Sequence, residues 1–154
     1  MPFQKIPCGE DIRAVIQSAF DTTLDVSGEW GYEMQNPLII ERTDVPLMQM
    51  EHTLASMRAF IEMNLTQPPE KRYGAINVNE LRRECLTENN RIYDKIEYEI
   101  SGMLENDYEK LIDEYKAGYG KPEFDMQAHF EKRKACTVVR REVFWFDITD
   151  VNKS

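Results

Sequence analysis

Nineteen residues, Leu47 to Leu65, are apolar nearly all the way round a helical wheel, and their only formal charges are Glu51, Arg58 and Glu62. Such a stretch predicts a helix buried at the centre of the fold. Thr43 or Asp44 is placed to cap it, and Pro46 is tolerated in its first turn. Pro68-Pro69 cannot continue it, so it should end near Asn64.

The segments around it carry other periodicities. Gly9 to Phe20 fits a short helix, with Ile12, Val15, Ile16, Ala19 and Phe20 on one face and Glu10 and Asp11 where the helix dipole favours carboxylates. Residues 1–8, with Pro2 and Pro7, look extended, and Asp21 to Met34 reads as a turn-rich connection whose Trp30 and Tyr32 should fold back onto a core. Pro37 to Arg42 is a strand with Ile39 and Ile40 on opposite faces, and Gln67 to Val78 is a loop. From Asn77, with Glu80 three residues on as a capping box, apolar positions at Leu81, Cys85, Ile92, Ile96, Ile100, Met103, Leu104, Leu111 and Tyr115 recur every 3.5–4 residues and predict a long acidic helix over 79–117. Unbroken, it would be roughly 55 Å long, more than a domain of this mass spans, so it breaks (at Asn89-Asn90 or Gly102) or packs against a second copy. A further helix over Phe124 to Lys134 offers Phe124, Ala128 and Phe130 to the core. Ala135 to Thr149, rich in β-branched and aromatic residues, is the strongest strand signal, with Pro37–Arg42 or its own copy in a dimer as partner.

The sum is one domain over residues 1–154 of the α+β class, mostly helical, with a central buried helix, a long acidic helix and a small antiparallel sheet that includes the C-terminal strand.

Composition narrows the function. A net charge of −9 repels nucleic-acid backbones and anionic membranes, and no apolar run approaches a membrane span, which argues against both partners. The N-terminus lacks the pattern of a signal peptide. Cys8, Cys85 and Cys136 are odd in number and widely spaced, which fits free thiols in the cytoplasm; Cys85 is expected in the core. The sequons Asn64-Leu65-Thr66 and Asn152-Lys153-Ser154 are then chance matches.

Candidate chemistry centres on Glu51, Arg58 and Glu62, which fall along one edge of the helix's apolar stripe. Arg58 and Glu62 can pair at i,i+4. The trio is either a half-buried catalytic site, with carboxylates for a divalent cation, or an ion-pair network that orients the helix; the second is the commoner case. The two histidines, His52 and His129, show no metal-ligand spacing. Cys8 stands before a helix but beside Glu10 and Asp11, which oppose a reactive thiolate. Lys132, Arg133, Lys134, Arg140 and Arg141 make a basic patch over residues 131–142, and the rest of the acidic chain is its nearest counter-charge. No phosphate-cradling glycine loop or nucleophile elbow is present.

These features lead to a small cytoplasmic, non-catalytic adaptor or regulatory protein acting through protein–protein contacts as a homodimer. One alternative is a metal-dependent hydrolase of a phosphorylated small molecule, using carboxylates of the central and long helices. The other is a phosphate or nucleic-acid binder working through residues 131–142.

Overall fold

The computed structural model describes residues 5–65 and 71–152. The chain runs α1 (Ile12–Phe20), β1 (Val26–Glu33), β2 (Asn36–Ile40), α2 (Leu47–Phe60), a π-helical turn (Ile61–Leu65), β3 (Tyr73–Glu88), β4 (Arg91–Leu104), α3 (Glu105–Gly118), α4 (Met126–Cys136) and β5 (Val138–Asp147). The strands form one sheet in the order β1-β2-β5-β4-β3. All neighbours are antiparallel except β2 and β5, which are parallel.

The expectation of a mostly helical fold with a small antiparallel sheet is therefore corrected: helix and strand are roughly balanced, and the sheet is mixed and five-stranded. The error lies in residues 79–104, expected as the long acidic helix and found as the β3–β4 hairpin. Ile92, Ile96 and Ile100 are four apart, which suits one face of a helix and equally every second inward position of a strand. The inward positions between them are Asp94 and Tyr98, buried but not aliphatic, so the alternation was concealed. Asn89 and Asn90, flagged as a break, both take positive φ (52° and 65°) in the two-residue turn that joins the strands. Only residues 105–118 keep the expected helix.

Other elements follow the pattern more closely. Asp11 caps α1, its side chain accepting from the Arg13 amide. Strand β5 pairs with β2, in parallel, and with β4 along its length. The connection at 21–34 holds β1, and its Trp30 does reach the core. Neither Thr43 nor Asp44 caps α2: its N-cap is Pro46, without a side-chain bond, while Thr43 bonds to Val45. Cys85, expected in the core, is exposed. In α4 the buried side chain is His129, whereas Phe130 is 53% exposed. The Pro68-Pro69 stop, residues 1–4 and the sequon positions Thr66, Lys153 and Ser154 lie outside the described residues.

Helices α1 and α2 bury their apolar sides against the sheet. Ile12, Ile16, Leu54, Ala55, Ala59 and Met63 meet Val26, Leu38, Ile40, Ile96, Tyr98, Ile100, Phe144 and Phe146 in one core. The opposite face of β3, β4 and β5 carries Arg82, Glu84, Lys95, Glu97 and Trp145, the mixed polar surface usual for an antiparallel sheet with one solvated side. Helices α3 and α4 pack on each other. Among the described residues no helix is long and apolar enough to cross a membrane.

Candidate functional site

Two charged clusters lie between α2 and the sheet. The first is built on Arg58. This side chain is 1% exposed and is held between two rings, its guanidinium carbon 3.8 Å from the Tyr32 centroid and 3.7 Å from that of Phe144. Its Nε donates to Glu62 Oε2 at 3.2 Å, and its Nη1 donates to the carbonyls of Trp30, Gly31 and Val143 at 3.3–3.4 Å. The expected i,i+4 pair is therefore formed, across the π-helical turn. Glu62 also accepts from Arg140 Nη2 at 2.7 Å and from the Tyr32 hydroxyl. Burial and then the neighbouring Glu62 carboxylate push the Tyr32 phenol well above its ordinary range.

Gly31 makes this arrangement possible. Its φ is +78°, and a Cβ there would stand 2.5 Å from the Trp145 carbonyl oxygen. Without a side chain, β1 can approach β5 closely enough for both backbones to receive the same guanidinium.

The second cluster surrounds Glu51, which is 0% exposed. Arg83 of β3 donates to Glu51 Oε1 at 2.9 Å, to Asp94 at 3.1 Å and to Glu80 at 2.7 Å. Oε2 of Glu51 has no donor within reach. Burial above all, then the hydrogen bond and charge of Asp94, raise the Glu51 carboxyl to about 9 against the pull of Arg83. Burial thus keeps Glu51 protonated well above the ordinary carboxyl range.

The three residues singled out by sequence thus close onto other side chains among the described residues. Arg58 and Glu62 are brought together, while Glu51 is not part of their cluster. It lies eleven residues before Glu62, roughly 16 Å along the helix, with its own partners. Each carboxylate is engaged by an arginine from a strand. Among the described residues no group of three His, Cys, Asp or Glu side chains is placed to hold a metal ion.

The sequence reading missed Arg83, Tyr32 and Phe144 as partners, and it took Arg140 as part of a basic patch and left Asp94 within the long acidic helix. One signal was available. Once 91–104 is taken as a strand, Asp94 falls on the same face as Ile96, Tyr98 and Ile100, and a carboxylate there requires a cation. The patch at 131–142 itself divides: Arg140 pairs with Glu62 and Glu142, Lys132 with Glu114, and Arg141 approaches Glu99 at 3.9 Å. The charged groups of Arg133 and Lys134 have no partner among the described residues. His52 donates to or accepts from no carboxylate; its Nε2 lies 2.8 Å from the Val78 carbonyl.

No protein-family model, curated protein or solved structure matches this chain.

Proposed function

We propose that the protein is a small cytoplasmic, non-catalytic adaptor or regulatory protein that acts through protein–protein contacts as a homodimer. The observation that carries this reading is the open edge of β3. This 16-residue strand is last in the sheet, and no strand lies beyond it among the described residues. Irregularities at Gly74/Asn77 and Glu80/Arg82 interrupt its first half, whereas Arg82–Glu88 pairs with β4 without a break. Unpaired edges of this length recruit another strand unless they are blunted.

The charges on this edge complement a second copy of themselves. In an antiparallel pairing centred on Cys85, Arg82 faces the partner subunit's Glu88, twice over by symmetry, and Arg83 faces the partner subunit's Thr87. In the single chain Arg82 only leans on its neighbour Glu84, in an exposed contact at 3.3 Å. The sealing of Glu51, Arg58 and Glu62 supports the non-catalytic part of the reading, since each is occupied in holding α2 to the sheet. Three free cysteines support a reducing compartment.

Sedimentation equilibrium at micromolar concentration tests the proposal. The expected species is a dimer. Arg82→Glu sets like charges against each other and should shift the protein to monomer with its circular dichroism spectrum preserved, and adding Glu88→Arg should restore the dimer. A wild-type monomer overturns the reading.

A further inference from the structure

Helices α3 and α4 enclose a pocket that belongs to neither ion-pair cluster. It is lined by Tyr108, Leu111, Ile112, Tyr115, His129 and Arg133. We propose that this pocket binds a small organic monocarboxylate with an apolar body about the size of a benzene ring.

The volume sets the size of the body. The pocket holds about 160 Å³, close to the ~150 Å³ apolar cavity that admits benzene. Leu111 and Ile112 supply aliphatic walls, and Tyr115 presents a ring face, packed 5.6 Å from the imidazole of His129. A flat or branched hydrocarbon group satisfies these walls, and a sugar or a chain of phosphates does not.

Two polar groups set the charge. Arg133 is an exposed guanidinium with no hydrogen bond or ion pair among the described residues, and it stands on the pocket lining. Its planar fork matches a carboxylate. His129 is 2% exposed, and neither of its ring nitrogens has a hydrogen-bond partner among the described residues. Its Nδ1 is sealed on the side of Glu114, whose carboxylate is 3.7 Å away, too far for a hydrogen bond. Nε2 is not sealed, which leaves it as the nitrogen that meets a pocket occupant. Nε2 is thus a ring nitrogen free to bond to a polar atom of the occupant.

Charge balance limits the ligand to a single anion. None of the six lining residues is acidic, and the nearby Glu114 is itself engaged by Lys132 at 3.3 Å. The chain as a whole carries −9, which opposes a highly charged ligand and leaves room for one carboxylate beside one guanidinium.

Benzoate is the probe. Isotope-labelled full-length protein is titrated with benzoate and, separately, with benzyl alcohol, its uncharged counterpart. The expected result is saturable binding of one benzoate per chain, with resonance shifts concentrated at Leu111, Ile112, Tyr115 and His129, and benzyl alcohol weaker by about tenfold or more. Arg133→Gln, a change on an exposed helix surface, should weaken benzoate by about tenfold while leaving the melting temperature in place. Lys134→Gln, which does not line the pocket, should leave binding unchanged. Absence of binding, equal affinity for benzyl alcohol, shifts outside α3 and α4, or an unaltered affinity in Arg133→Gln overturns the proposal.

Discussion

Beneath α2 the arginines are bonded within the chain: the buried Arg58 reaches a carboxylate, two rings and three carbonyls, and the half-buried Arg83 bridges Glu51, Asp94 and Glu80. Between α3 and α4, Arg133 has no partner among the described residues, and the buried Nδ1 of His129 makes no hydrogen bond, with Glu114 3.7 Å away. Arginine therefore stands in opposite situations in the two regions. A buried charge with all its partners in the chain fixes the packing, because any substitution leaves the partner stranded. A polar group left without partners beside a cavity has its interactions still to make.

Substitutions can sharpen or break this comparison. Arg58→Met should have the largest effect. It strands part of Glu62 and removes the stack between Tyr32 and Phe144, at a cost of about 3–5 kcal/mol in urea unfolding. A loss under ~1 kcal/mol would place Arg58 with the surface pairs instead.

Gly31→Ala should follow, at about 1–3 kcal/mol, because it forces a side chain into left-handed backbone and against the Trp145 carbonyl. The same unfolding curves would show it.

Glu51→Gln should cost less, and its effect should depend on pH. The folded protein keeps the Glu51 proton up to about 9, whereas an ordinary carboxyl releases it near 4.5. The stabilisation tied to this proton is therefore complete below about pH 4.5 and is lost as the pH rises through 9. Wild-type stability should carry this downward component between pH 5 and pH 9, and Glu51→Gln, which cannot release a proton, should remove it. Equal slopes in the two proteins would show that Glu51 is ionised throughout. The smallest effect belongs to Arg133→Gln, within about 0.5 kcal/mol.

The sequence made parts of this visible. The helices at 12–20 and 47–60 and the strand at 138–147 were legible because each carries a strong residue pattern of its own. The pair Arg58–Glu62 was legible because helical spacing alone brings it together. The β3–β4 hairpin was not, because its inward positions mix Ile with Asp94 and Tyr98, and because Glu, Arg and Lys on its outer face are good helix formers whose preference the tertiary contacts override. Losing the hairpin also hid Arg83, which reaches Glu51 only when β3 lies beside α2. The α3–α4 pocket had no signal of its own: His129 is one residue from Phe130, and only the structure decides which of the two turns inward.

The claim that Arg58 and Glu62 form one interlocked support between α2 and the sheet is tested most directly by a double-mutant cycle on Arg58→Met and Glu62→Gln, with unfolding free energies measured at one pH. The expected result is strong coupling, with the double variant losing about 1–3 kcal/mol less than the two single losses added. Additivity within about 0.5 kcal/mol would contradict it and return Arg58 and Glu62 to the status of independent side chains.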